Sequence, residues 1–187
     1  MKQSDQELIA DYLEGNDRAL LILVERYLKP VYRFVFYLTG SAQDAEDITQ
    51  DAFIKTWSNL SKFRTTESFK TWLFAIARNC AIDWMRKKKT FVFSDFERAE
   101  GDNPLIENLA DPKPLPEEMI THRETKEMLE RILDTLPLFY REVLLLRYIE
   151  HLSFDEIGKV LKKPLDTVKS QHRRALIMLR QRLDAPK

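Results

Sequence analysis

The sequence predicts an all-α protein, with two small helical domains joined by a flexible acidic linker. Three observations carry that expectation. Apolar residues recur at helical spacing at both ends of the chain, behind clear helix-start signals. Only four of 187 residues are glycine, while Leu, Glu, Lys and Arg are plentiful, a composition of strong helix formers. Between the helical parts, residues 90–118 gather Asp95, Glu97, Glu100, Asp102, Glu107, Asp111, Glu117 and Glu118 against only Arg98 and Lys113. Pro104, Pro112, Pro114 and Pro116 break any long helix there. The expected boundaries are 1–89, 90–118 and 119–187.

The first domain reads as four helices. Ser4 with Glu7 has the capping-box form, in which side chain and backbone satisfy each other's orphan groups. Asn16 or Asp17 caps a second helix that runs to Thr39, with Gly40 as its stop. Pro30 lies inside it and is expected to kink or split it. Ser41 caps a third helix from Ala42 to about Leu60, a loop covers residues 61–67, and a fourth helix runs from about Ser68 to Lys88. On the fourth, Phe69, Trp72, Leu73, Ile76, Cys80 and Trp84 share a broad apolar face, and Asp83 beside it is expected to be partly buried and structural.

The second domain is expected to be helical through Met128, Ile132 and Leu133, with a break at Leu136-Pro137. An apolar helix follows from Phe139 to Ile149. Ser153 and Glu156 repeat the capping-box signal and open a short helix to about Leu161. After a turn at Lys162-Lys163, Pro164 fits the first position of a last helix reaching Leu183.

Composition excludes several classes of function. The 30 basic and 30 acidic residues cancel, so an affinity for nucleic acid has to come from where the charges lie. Cys80 is the one cysteine, which rules out an internal disulfide and a cysteine-rich zinc site and fits a reducing cytoplasm. His122 and His151 have no metal-ligand partners at useful spacing, and no catalytic triad or Gly-rich phosphate loop occurs. No catalytic residue, metal or cofactor is therefore expected. Residues 1–10 are polar and acidic, unlike a signal peptide, and residues 20–38 carry too many charges for a membrane span.

The last two helices have the dimensions of a helix-turn-helix, whose second helix enters the DNA major groove. On a wheel of 3.6 residues per turn, Leu165, Val168, Ala175, Leu176, Leu179 and Leu183 form an apolar stripe. Asp166, Lys169, Ser170, Arg173 and Arg174 fall opposite. Lys159, Lys162, Lys163, Arg180 and Arg182 add to a strongly basic module in which Asp166 stands alone as an acid. Arg and Lys reach phosphates or guanine edges, and Ser meets either. His172 lies beside the stripe and is expected to pack. This pattern predicts duplex DNA binding and leaves repressor, recombinase and initiation factor equally open.

The first half separates them. The segment from Asp44 to Trp57 (DAEDITQDAFIKTW), the segment from Phe69 to Lys88, and the run Leu136-Pro137, Tyr140-Arg141, Glu156-Ile157, Pro164, Thr167-Val168-Lys169-Ser170 and Arg174-Ala175 occur in the order found in sigma factors. The chain resembles the extracytoplasmic-function (ECF) sigma factors of the sigma-70 family over nearly its whole length. The resemblance implies a region 2-like bundle and a region 4-like helix-turn-helix domain. It assigns core RNA polymerase docking to Asp44, Glu46, Asp47, Gln50, Asp51 and Lys55. Minus-ten recognition and the melted non-template strand fall to Lys62, Phe63, Arg64, Lys70, Arg78, Asn79, Arg86, Lys87 and Lys88. The minus-thirty-five duplex falls to Pro164, Asp166, Thr167, Lys169, Ser170, Gln171, Arg173 and Arg174. Phe63 has two roles open to it, anchoring its loop or stacking on a base, with anchoring favoured.

The resemblance also implies an anti-sigma partner and a linker that threads the polymerase. Three positions depart from the family pattern. Asp166 stands where glycine is frequent, and Gln171 and His172 stand where Arg and Leu or Ile are expected, so no particular promoter sequence carries over. A stand-alone helix-turn-helix regulator and an adaptor with a vestigial DNA reader are the competing readings.

Overall fold

The computed structural model describes residues 3–64, 67–88, 133 and 135–183, and every regular element among them is helical. The expected linker 90–118, Met128, Ile132, His122, Thr65 and Thr66 lie outside the described residues. The chain divides into two compact units.

In the first unit, α1 (Asp5–Leu13) opens with the expected box: the Glu7 amide donates to Ser4 Oγ, and the Ser4 amide donates to the Glu7 carboxylate at 2.7 Å. The Ser4 amide and the Ser4 hydroxyl, which donates to the same carboxylate at 2.9 Å, hold the exposed Glu7 carboxyl below its usual range. α2 (Asp17–Thr39) is capped by Asn16 and ends on Gly40 at φ 69°, a left-handed conformation that glycine adopts without a Cβ clash. Arg26 and Tyr27 of α2 both bond the Asp5 carboxylate and fasten α1 to α2.

Pro30 does not split α2, which stays one helix of 23 residues. A mid-helix proline costs roughly 3 kcal/mol. Leu23, Tyr27, Val31 and Phe34, on both sides of it, are buried, and each such side chain contributes about 1.5–3 kcal/mol. Packing on the two flanks outweighs the local penalty.

α3 (Ala42–Ser58) is capped by Ser41 and stops two residues short of the expected Leu60, where the chain tightens into a 3-10 turn, Leu60–Lys62. α4 (Phe69–Lys88) begins after Ser68, whose Oγ accepts from the Thr71 amide. Phe69, 2% exposed, is the hub of this unit. Tyr27 of α2 meets its ring edge-on at 5.5 Å, Trp57 of α3 stacks at 6.3 Å, and Phe63 of the loop meets it at 5.7 Å. Leu73 and Cys80 are buried as the apolar face requires, whereas Trp72, Ile76 and Trp84 are half-buried. Asp83 is exposed, not partly buried, and lines a groove between α3 and α4 that leaves its carboxylate open to solvent.

In the second unit, α5 (Leu138–Leu144) passes into a π-helical turn, Leu145–Ile149, closed by the Glu150 amide on the Leu145 carbonyl at 3.0 Å. A regular helix from Phe139 to Ile149 was expected. The π turn carries Arg147 and Tyr148. Ser153 and Glu156 form the second capping box and start α6 (Phe154–Leu161). Lys162 takes φ 55°, and the Lys163 amide reaches back to the Gly158 carbonyl at 3.0 Å, a Schellman stop. Pro164 is the cap of α7 (Leu165–Leu183), since its carbonyl accepts from the Val168 amide. It lies one position before the first helical residue expected for it.

Candidate nucleic-acid interface

α6, the turn and α7 form the helix-turn-helix. Ile157, Val160 and Leu161 of α6 are buried, as are Val168, Ala175, Leu176 and Leu179 of α7. The contact between the two depends on Gly158. A Cβ there would sit 2.9 Å from the Lys163 carbonyl oxygen and 4.0 Å from Val168 Cγ2, so only glycine lets α6 close onto the turn.

The structure sorts the residues assigned to duplex reading. Pro164, Asp166, Lys169 and Ser170 are exposed, and Thr167, Arg173 and Arg174 are half-buried. Asp166, Lys169, Ser170 and Arg173 share one face by helical spacing. Ser170 Oγ donates to the Thr167 carbonyl at 2.9 Å. Lys159, Lys162, Arg180 and Arg182 are each exposed, and Lys163 lies over the Phe139 ring at 5.8 Å.

Two assignments are corrected. Gln171 is buried at 8% exposure, and its Oε1 has no hydrogen-bond partner, so it belongs to the packed face and not to the groove-facing one. Leu165 is 40% exposed and lies outside the buried stripe, because α7 begins beyond the edge of the core.

His172 packs, as expected, through a cluster with no signal in spacing alone. Its Nε2 lies 3.1 Å from Tyr148 Oη, its ring stacks on Tyr148 at 5.7 Å, and Phe154 meets it edge-on at 5.0 Å. Burial, and secondarily the Arg147 cation, lower its pKa from 6.5 to about 4. The folded value lies below the unfolded one, so the unfolded chain takes up the proton first as pH falls. Stability from the neutral ring is complete above about pH 6.5 and is lost down to about pH 4. Melting of the second unit is expected to shift downward across that window, and His172→Phe to flatten the shift in a pH series of thermal melts.

In the first unit, Glu46, Asp47, Gln50, Asp51 and Lys55 are exposed on α3 and Asp44 is half-buried. Asp44, Asp47, Asp51 and Lys55 follow one another at i, i+3, i+7 and i+11 and so share a stripe. Beside it, a groove of about 360 Å³ between α3 and α4 is lined by Asp47, Asp51 and Lys55 on one wall and by Asp83, Trp84, Arg86 and Lys87 on the other. Lys55 Nζ donates to Cys80 Sγ at 3.4 Å on its floor. Burial pushes the Cys80 thiol up, partly offset by Lys55.

Among the residues assigned to the opened strand, Lys62, Arg64, Arg86, Lys87 and Lys88 are exposed, and Phe63, Lys70, Arg78 and Asn79 are half-buried. Phe63 lies against Trp72 at 5.1 Å and against Phe69 at 5.7 Å. Arg86 and Lys87 line the groove with the α3 acids. Lys70 and Lys88, five helical turns apart, fall on another side of α4. The set is therefore divided between two faces, which a list of basic residues does not reveal. Among the described residues no group of His, Cys, Asp and Glu could hold a metal ion, and no helix is long and apolar enough to cross a membrane.

A four-helix bundle with an acidic helix, followed by a basic helix-turn-helix unit, defines a helical DNA-binding protein. The family models for Sigma-70 region 2 and Sigma-70, region 4 match residues 23–91 and 126–179. The ECF RNA polymerase sigma factor SigW of Bacillus subtilis (strain 168) is 35% identical over 185 residues, covering 98% of each chain. Among solved structures, CnrH in complex with the cytosolic domain of CnrY is similar with a TM-score of 0.71 and 25% identity, covering 99% of this chain and 100% of that one. The sigma factor RpoE in complex with the anti-sigma factor NepR, from Bartonella quintana, shares the fold with a TM-score of 0.66 and 21% identity, over 90% and 98% of the two chains. The chain belongs to the sigma-70 family, among the RNA polymerase sigma factors of the ECF type, and its function is promoter-directed initiation of transcription.

Proposed function

We propose that the two units divide initiation between them. The α3 stripe of Asp44, Asp47 and Asp51, with Glu46, Gln50 and Lys55, docks a basic surface of core polymerase. The loop after α3 and the cations of α4 hold the melted minus-ten strand, with Lys70, Arg78, Arg86, Lys87 and Lys88 tracking phosphates. The exposed face of α7, from Pro164 through Asp166, Thr167, Lys169 and Ser170 to Arg173 and Arg174, enters the minus-thirty-five major groove. The linker 90–118 runs between them along the polymerase. The chain works without catalysis of its own and without a cofactor, in the cytoplasm, and takes an anti-sigma partner as RpoE takes NepR.

The observation that carries this is the separation of charge in a neutral protein: acids are exposed on α3, and cations surround α7. An acidic face repels DNA and attracts a basic protein surface. Promoter-specific run-off transcription with core polymerase tests it. The chain is expected to confer initiation that core polymerase alone lacks. Tight operator binding without any polymerase-dependent initiation would leave a stand-alone regulator instead. Lys169→Ala is expected to weaken duplex binding several-fold and to reduce the salt slope by about one, as the loss of one phosphate contact does.

A further inference from the structure

We propose that His172 and Tyr148 are positioning residues for minus-thirty-five reading: their side-chain bond fixes the roll of α7 and so aims Lys169, Ser170 and Arg173. The inference rests on α7 being the duplex reader, and it adds a determinant that touches no DNA.

A recognition helix seated by aliphatic contacts alone can rotate a little without losing area, because such contacts have no preferred direction. α7 is seated differently. Gln171 and His172, consecutive on its inward side, put polar groups where apolar ones would have sufficed. His172 Nε2 meets Tyr148 Oη at 3.1 Å, and its ring is held between Tyr148 and Phe154.

Each of those two partners is itself fixed. Tyr148 lies in the π turn, whose Glu150 amide closes on the Leu145 carbonyl at 3.0 Å. Phe154 is the first residue of α6 and lies under the Arg147 guanidinium at 4.8 Å. Arg147 Nη1 in turn donates to the Leu152 carbonyl at 2.9 Å, clamping the connection between the π turn and α6. One imidazole thus ties α7 to the π turn and to α6 by a directional bond and an edge-to-face contact.

The lever is short. With an outer helix radius of about 5–6 Å, a roll of about 20° carries a side-chain tip about 2 Å. A hydrogen bond to a base edge does not survive that displacement. Lys169, Ser170 and Arg173 lie within three residues of His172, so an error in its seating reaches them undiminished.

The test uses the full chain with core polymerase and a promoter pool randomised across the minus-thirty-five element. The element enriched by the wild-type chain is compared with its single-base variants. Tyr148→Phe keeps the ring and deletes the hydroxyl. It is expected to lower discrimination between the enriched element and its variants about three- to tenfold. Strand opening at minus ten stays unchanged, and the melting temperature falls only slightly, by the loss of one hydrogen bond, too little to unfold the unit at the assay temperature. His172→Gln, which keeps a nitrogen donor, is expected to retain discrimination that His172→Leu loses. Unchanged discrimination in Tyr148→Phe, or a loss that only follows a falling melting temperature, would overturn the positioning role. A wild-type chain that enriches no element would overturn the duplex-reading assignment as well, and so marks the other failure apart.

Discussion

Gly158→Ala is expected to destabilise the helix-turn-helix unit, against the sign that helix propensity sets. An alanine in a helix interior is favoured over glycine by about 1 kcal/mol, so at an unencumbered site the change would stabilise. Here the new methyl would meet the Lys163 carbonyl oxygen at 2.9 Å. That oxygen belongs to backbone and has no rotamer to move away with. Overpacking of this kind costs typically 1–3 kcal/mol. The displacement also strains the bond from the Lys163 amide to the Gly158 carbonyl, worth about 1 kcal/mol. The net loss is about 1–3 kcal/mol, read by chemical or thermal melting. The functional loss is larger, because α6 and the turn fix where α7 begins. Duplex binding and minus-thirty-five-dependent transcription are expected to fall at least about tenfold while core polymerase binding is retained. A Gly158→Ala chain that melts higher than the parent would show that α6 and the turn do not meet as described.

The role of Gly158 shows where reading a sequence stops. The helices of the first unit were legible because each starts at a residue that makes its own cap: Ser4, Asn16 and Ser41 bond the amides that the rule predicts. Those bonds span two or three residues and need no tertiary information. Pro30 was expected to kink or split α2, and the helix is not split because the proline's penalty is local while its compensation, the burial of Val31 and Phe34, is not. The π turn was invisible for a related reason. Nothing in Leu145 to Ile149 distinguishes it from a regular helix until Tyr148 finds His172 twenty-four residues later. The surface residues divide in the same way. Lys169 and Ser170 were placed correctly by helical spacing, whereas Gln171, one step along the same wheel, was turned inward by packing. A polar residue type marks a preference for water, and helix seating decides whether it is granted. Spacing likewise could not foresee that Arg86 and Lys87 share a groove with Asp47 and Asp51, because that neighbourhood depends on how α3 lies against α4.

That groove sets the terms for the second large effect, reversal of charge on α3. Asp47→Lys combined with Asp51→Lys is expected to weaken binding of core polymerase at least about a hundredfold. Loss of a close interfacial charge pair and its replacement by like-charge repulsion each act against the complex. Both carboxylates are exposed, so folding should change little. The reversal also leaves Arg86, Lys87 and the two new lysines facing one another across the groove, where only Asp83 remains acidic. A basic partner would then meet a groove dominated by positive charge. The salt dependence of binding to core polymerase, measured by titration, should therefore reverse, the residual affinity rising with salt as the new repulsion is screened. Duplex binding through α7 is the internal control and should remain at the parent level. If the double reversal bound core polymerase as well as the parent, the α3 acids would be an ordinary solvated helix face. If duplex binding fell in parallel, the loss would be one of folding. The assignment of docking to α3 therefore requires that polymerase affinity falls alone.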